Sequence, residues 1–428
     1  MTEESLRRRL ADWIMEAALN GADMKELIDG ASARLMASGV PVRRSNVIYR
    51  TLHPLFEATS LLWSQDKPVE VREFVHGSTL QAGWPRSPFS FLLERKLPLL
   101  RRKLTGPDAI LDFPVLHDLV SEGLTDYLVL SVPFDSNKIS MLGAWHDGVL
   151  LSFATDRAGG FSDAHLRTLQ QIAPRLGVGF KLAIREQIAS NVARTYLGES
   201  AGKQVLAGNI RLGDFESINA VVWISDLRDS TGRAERLGME RYLALLNGFM
   251  ECAAGAVHVY GGEVLAYPGD AVLAIFRDKD PNKAAEAAFS AAAECRRRLF
   301  DVNENLIEMG QEPLAAGLAL HQGDLAFGNI GTGGRQSFTV IGPAVSVVDR
   351  LEAMTKTEPY TVIISGEVAS LLPDDAPEMR GLGARIVRGS ETPVAVYGLS
   401  DRAMLPYRAP EGYVETMLDA LSDELEPA

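Results

Sequence analysis

Two aspartates stand at the ends of β-forming runs, and their placement calls for a cation. Asp226 closes "NAVVWISD" (219–226), whose β-formers Ala220 to Ile224 lead into the polar turn "LRDSTG" and then a helical pattern. Asp270 follows Gly269 in "GGEVLAYPGDAVLAIF" (261–276), where two β-rich stretches flank a Pro-Gly-Asp turn in the manner of a hairpin. A carboxylate is rarely set against apolar surroundings unless something positive meets it. If the two strands are neighbours in one sheet, both carboxylates converge on one edge. There they repel each other, and a hard divalent cation removes the repulsion while using the same oxygens as ligands. On its own, each aspartate reads as a turn former; the pair gains its meaning from motifs nearer the C-terminus.

Two later stretches complete a pattern. "LALHQGDLAFGNIG" (318–331) reads as strand, turn and strand, and "SFTVIGPAVSVVDRLEAMTK" (337–356) as a strand, a Gly-Pro break and a helix bearing Arg350. The four pieces, in this order and at these intervals, resemble the catalytic domain of class III nucleotidyl cyclases over residues 216–400. The resemblance implies an α+β, ferredoxin-like domain with a mainly antiparallel sheet. It also implies two ions per site, Mg²⁺ or Mn²⁺, held by Asp226, Asp270 and the main-chain carbonyl of Leu227. The turn carrying Asp229, Ser230 and Thr231 would wrap a triphosphate with backbone N–H groups at a helix start, where anions are favoured. Arg350 matches the arginine that stabilises charge on the transferring phosphate, Thr339 a base-contacting position, and Arg388 falls near a late basic residue that touches terminal phosphates. Such enzymes work as head-to-tail homodimers whose sites borrow residues from both chains.

Two positions depart from the family. Ala266 stands where many adenylate cyclases have a base-reading lysine, and Ser346 where the family has an asparagine that positions the ribose. A charged hydrogen bond contributes roughly 1.5–3 kcal/mol, so its loss at Ala266 weakens selection of adenine. Ser346 offers one hydroxyl but not the two polar ends of an amide. Two classes of function stay open. One is an enzyme converting a nucleoside triphosphate, ATP first and GTP or a pyrimidine nucleotide next, to a 3′,5′-cyclic nucleotide and pyrophosphate; Asp226, Asp270 and Arg350 favour it. The other is a catalytically silent regulator that keeps the fold and binds a nucleotide or sensor ligand; Ala266 and Ser346 favour that.

The elements that must position these residues make up under half of the chain. At 428 residues, with 46% hydrophobic and 23% charged residues and no low-complexity tract, the sequence is that of a globular protein of two or three domains. "MTEESLRRRLADWIMEAAL" sets Leu6, Leu10, Trp13, Ile14 and Ala17 at helical spacing, and strand-like runs follow at 46–53, 57–63, 126–134 and 139–146, the last two joined by "DSNK". This mixture is an α+β sensor-type module. Its end, "TDRAGGFSDAHLRTLQQIAPRLGVGF", resembles the closing strand and helix of GAF-like domains, with Ser162 as a helix cap ahead of Pro174. The organisation expected is a GAF-like regulatory domain at 1–185, a helical connector at 186–215, the catalytic domain at 216–400 and a tail at 401–428.

The ligand of the first module is not legible, since His53, His76, His117, His146 and His165 form no metal-spaced pair. Two cysteines, Cys252 and Cys295, give neither a disulfide framework nor a cysteine zinc site. A net charge of −13 argues against nonspecific nucleic-acid binding. No apolar run approaches the roughly 18–20 residues that span a bilayer, so no membrane partner and a cytoplasmic location are expected.

Overall fold

The computed structural model of the protein describes residues 3–77, 83–134, 147–388, 390 and 392–409. The chain divides between Val192 and Ala193 into two compact units. The first begins with α1 (Glu3–Leu19), α2 (Met24–Ala37), β1 (Arg44–Arg50), β2 (Phe56–Ser64) and β3 (Glu70–Val75). It continues through α3 (Pro88–Glu94), β4 (Leu99–Lys103), α4 (Pro114–Ser121), β5 (Asp126–Pro133), β6 (Gly148–Thr155) and α5 (Asp163–Leu197), whose last turn falls in the second unit. The strands form one antiparallel sheet in the order β3-β2-β1-β6-β5-β4.

Because successive strand side chains point to opposite faces, this sheet carries an apolar layer on each side. Val47, Tyr49, Leu128, Leu130, Leu151 and Phe153 pack with Leu10, Leu27 and Phe180 of α1, α2 and α5. Ile48, Tyr127, Val129 and Leu150 pack with Leu92 of α3 and with Leu116 and Leu119 of α4. The expected runs at 46–53, 57–63 and 126–134 fall on β1, β2 and β5, with β1 ending at Arg50 and β5 at Pro133. The turn "DSNK", the strand expected at 139–146 and His146 lie outside the described residues, and β5 pairs with β6, which is not among the expected strands. Ser162 does cap α5, accepting from the His165 backbone at 3.3 Å, and the helix runs on through Pro174.

In the second unit come α6 (Glu199–Leu206), β7 (Phe215–Leu227), α7 (Ser230–Leu237), α8 (Met239–Val259), β8 (Glu263–Ala266) and β9 (Ala271–Phe276). They are followed by α9 (Pro281–Glu308), β10 (Ala316–Thr332), β11 (Arg335–Ile341), α10 (Pro343–Met354), β12 (Val362–Ser365), β13 (Arg380–Arg385) and β14 (Val394–Leu399). The sheet runs β13-β14-β12-β10-β7-β9-β8, with β11 added to β10, and is antiparallel except where β12 pairs with β10. Val221 and Trp223 of β7 pack under Phe249 and Val257 of α8 and the alanines of α9, whose small side chains let the helix lie close to the sheet. Ala220 and Val222 face the other way, toward Val347, Val348 and Leu351 of α10 and Ala201 of α6.

Three features depart from the sequence reading. "LALHQGDLAFGNIG" is not strand-turn-strand but part of the single strand β10, with Gly323 and Asp324 paired to Ala220 and Asn219. Gly323 serves close packing rather than a turn, since a Cβ there would lie 3.0 Å from that of Ala344 on α10. Second, α8 is long and apolar enough, by length and composition, to cross a membrane. Its polar interruptions hide this from a search for unbroken apolar runs. Phe249, Ala253, Ala256 and Val257 nonetheless place one face of α8 in the core, and Cys252 is buried beside them in sequence. Third, residues 401–407 pack against α9: Asp401 takes a two-pronged ion pair from buried Arg296 at 2.6 and 2.7 Å, and Met404, Leu405 and Tyr407 are buried.

The first unit turns on a buried charge. Asp126, at the start of β5, is fully buried and accepts from Arg101 Nη2 at 2.6 Å, from the Tyr127 backbone at 3.0 Å and from the Phe161 backbone at 2.9 Å. Gly160 makes room for it, having φ +73° and no Cβ to overlap the carboxylate. Replacing Asp126 with Ala would strand Arg101 and the donors of the following loop. Asp126→Ala is expected to lower the stability of the first unit by about 3–5 kcal/mol, measured by urea unfolding of the full chain.

Candidate functional site

The strand pairing brings the two aspartates to one edge. Asp226 lies opposite Ala271 of β9 on one side and Gly317 of β10 on the other. The Leu227 backbone N–H donates to the Asp270 carbonyl at 3.4 Å, so Leu227 and Asp270 face each other across the end of the β7–β9 ladder. The chain reverses into Asp270 through Gly269, whose φ of +72° suits a residue without a side chain. The Asp270 side chain is half-buried and has no partner among the described residues.

Asp226, by contrast, is already met by a cation. Lys356, just past the end of α10, donates to Asp226 Oδ2 at 2.8 Å and lies 3.5 Å from Glu352 Oε2. The hydrogen bond to Asp226 raises the Lys356 ammonium above the usual lysine value, while burial raises the Glu352 carboxyl despite the nearby ammonium. The end of α10 is held by Arg228, which donates to the carbonyl of Thr355 and, at 2.7 Å, to its hydroxyl. Gly317 permits this docking, because a Cβ there would overlap Thr355 Oγ1 and Glu352 Oε1.

The turn after β7 presents a helix start. Asp229 sits at φ +54° before α7, and its carboxylate is drawn back to Arg236 Nη2 at 2.8 Å, above Gly232, where a Cβ would overlap it. Ser230 and Thr231 are the first residues of α7, and no side chain caps that end. Their backbone N–H groups belong to the first turn, whose donors lack intrahelical acceptors, and an anion can meet them.

Other residues singled out by sequence lie elsewhere in the unit. Thr339 pairs with Gly328, eleven residues along β10 from Gly317, the partner of Asp226. At about 3.3 Å per residue that is a strand path of roughly 36 Å. Ser346 and Arg350 are both exposed, one turn apart on α10, and Arg350 has no partner among the described residues. Arg388 is exposed and follows β13, which stands four places from β7 in the sheet, roughly 19 Å at about 4.8 Å per strand. Ala266 ends β8 beside Leu273 and lines a cavity with Tyr267, Arg277 and Ser337 of β11.

Asp226, Asp270 and the Leu227 carbonyl offer the hard oxygen donors that Mg²⁺ or Mn²⁺ takes. The ammonium already drawn to Asp226 marks this edge as a place that holds positive charge. Among the described residues no group of three or more His, Cys, Asp or Glu side chains could hold a metal, so further ligands would come from solvent or substrate. Sequence reading overlooked Lys356, Glu352, Arg228 and Thr355. The only local signal was the i, i+4 spacing of Glu352 and Lys356 at the end of the quoted helix.

No family model matches the chain. Among curated proteins it is similar to the adenylate cyclase of Anabaena cylindrica, 26% identical over 193 residues, 44% of this chain and 38% of that protein. It is also similar to adenylate cyclase 1 of Rhizobium meliloti, 26% identical over 174 residues, 40% of this chain and 26% of that protein. The chain therefore spans under half the length of these curated relatives. Among solved structures it is similar to the adenylyl cyclase CyaB from P. aeruginosa, at 27% identity and a TM-score of 0.39, with 43% of this chain and 95% of that one covered. For the guanylyl cyclase Cya2 the identity is 24% and the TM-score 0.38, with 43% and 92% covered.

The anchoring of α10 can be tested without a substrate. Arg228→Ala removes a charged donor from the Thr355 carbonyl and hydroxyl. It is expected to lower the stability of the second unit by about 1.5–3 kcal/mol, read as a shifted urea midpoint with an unchanged slope.

Proposed function

With a second unit that belongs to the class III nucleotidyl cyclase catalytic domains as the premise, we propose that two copies of this chain convert ATP to 3′,5′-cyclic AMP and pyrophosphate at shared sites. The observation that carries this reading is the separation of two half-sites on one chain. Glu352 is buried against Gly317, beside Asp226, whereas Arg350, two residues earlier on α10, is exposed. Residues two apart on a helix point roughly 160° away from each other, so Arg350 turns away from its own Asp226. Phe215 and Ile341, flanking β10 near Thr339, are 69% and 52% exposed and suit a covering partner. A head-to-tail second copy supplies Arg350, Ser346 and Thr339 to the edge that carries Asp226, Leu227 and Asp270.

In that arrangement each residue has a definite task. Asp226, Asp270 and the Leu227 carbonyl hold Mg²⁺ or Mn²⁺, which when bound lowers the pKa of the ribose 3′-hydroxyl and neutralises phosphate charge. The first-turn N–H groups of Ser230 and Thr231, beside Asp229, receive the triphosphate, and Arg388 reaches its terminal phosphates from an outer strand. The 3′-hydroxyl gives its proton to solvent water and its oxygen bonds to the α-phosphorus as the bond to the bridging oxygen breaks and pyrophosphate leaves in line. Arg350 meets the charge that grows on the phosphate during transfer. Ser346 offers one hydroxyl to the ribose. Ala266 and Thr339 border the base, and with no side-chain donor at Ala266 the site discriminates weakly among ATP, GTP and pyrimidine nucleotides.

The first unit is proposed as a GAF-like regulatory domain for an unidentified ligand. Its antiparallel sheet with helices on both faces supports that role.

Two experiments test the enzyme. Asp270→Ala should leave the fold intact and reduce cyclic-nucleotide formation by at least about a hundredfold with Mn²⁺ and each of the four nucleoside triphosphates; turnover within a fewfold of the parent would remove the metal assignment. Separately inactive Asp226→Ala and Arg350→Ala chains, mixed in equal amounts, should recover about a quarter of parental activity, because half the dimers are mixed and each mixed dimer has one whole site. Mixed dimers that form and stay inactive would contradict the shared geometry.

A further inference from the structure

The ion pair between Lys356 and Asp226 leads beyond the catalytic reading, although it rests on the assignment of Asp226 as a metal ligand. We propose that Lys356 is an internal cation that competes with the divalent ion for Asp226, so that loading of the metal site requires the lysine to be displaced. The ammonium lies 2.8 Å from Asp226 Oδ2 and 3.5 Å from Glu352 Oε2, between two carboxylates. A divalent ion on Asp226 would stand within a few ångströms of a like charge and repel it.

The surroundings allow the move. The Lys356 side chain is 48% exposed and ends on a flexible four-carbon stem, whereas Asp226 is only 19% exposed and fixed within β7. Glu352, with a 6% exposed side chain, stays within reach as a second acceptor, so the displaced ammonium keeps a partner. Arg228 cannot take its place, being committed to Thr355. The lysine thus has two nearby resting positions, and the charge on Asp226 is balanced both before and after the metal arrives.

Competition of this kind makes a quantitative statement about binding rather than turnover. Mn²⁺ binding to the full chain, without nucleotide, is measured from the loss of free-ion EPR signal for the parent, Lys356→Gln, Lys356→Arg and Asp226→Asn. Because a half-exposed pair is worth at most about a factor of five, Lys356→Gln is expected to bind Mn²⁺ roughly three- to fivefold more tightly. Lys356→Arg, which keeps the charge, should stay near the parent. The rise in Tm produced by saturating Mn²⁺ should be larger in Lys356→Gln than in the parent, because that variant lacks the internal counter-charge when metal-free. If Lys356→Gln binds with unchanged or weaker affinity while Asp226→Asn loses binding, the competition is overturned and the metal site stands. Binding that Asp226→Asn leaves intact overturns both.

Discussion

Negative charge gathered at the end of a buried ladder is the constraint around which the second unit is arranged. Asp226 is fixed where β7 meets β9 and β10, opposite Ala271 and Gly317, and its side chain is only 19% exposed. Such a group has to be balanced by something that can reach it, and the cation at hydrogen-bond distance is Lys356. The balance comes from the far end of α10, which is why that end is pinned by Arg228 and accommodated by Gly317. Helix position, glycine placement and charge are therefore parts of one requirement. Asp270, across the ladder end, adds a second carboxylate without a protein partner among the described residues, so the edge as a whole stays receptive to positive charge.

The two units answer burial in related ways. Each sheet carries apolar residues on both faces and covers both with helices, and each unit has a two-pronged arginine–aspartate pair with one buried member: Asp126, held by Arg101, in the first, and Arg296, held by Asp401, in the second. Planar guanidinium groups suit this task because two parallel hydrogen bonds define orientation as well as distance. In the second unit the Arg296 pair joins the chain beyond β14 to α9, so the core includes residues that composition alone would leave outside it.

The strand ends that carry Asp226 and Asp270 were legible in the sequence, because β-formers bounded by Gly, Pro and Asp follow directly from local backbone chemistry. The same chemistry misled at Gln322-Gly323-Asp324, where glycine answers to the approach of Ala344 rather than to a turn. The roles proposed for Thr339, Ser346 and Arg350 rest on family resemblance alone; spacing by itself gives an exposed helix arginine and a strand threonine. The contact of Lys356 with Asp226 was not legible, although its i, i+4 spacing from Glu352 was. Its contact spans 130 positions and depends on how far α10 runs before it stops, a quantity set by tertiary packing rather than by any short stretch of sequence.

The way α10 is seated has a mechanical consequence. Near its start Ala344 fits against Gly323, and near its end Glu352 and Thr355 fit against Gly317. Two small-residue notches in one strand, each filled by a different turn of the helix, prevent both sliding and rolling: a shift of even one residue would drive a side chain into backbone at one notch or the other. Helix and strand must then travel as a single lever. Any rearrangement that moves Arg350 relative to Asp226 within the chain has to undo one of these two fits, so this part of the unit behaves as one solid body rather than as a surface that softens gradually.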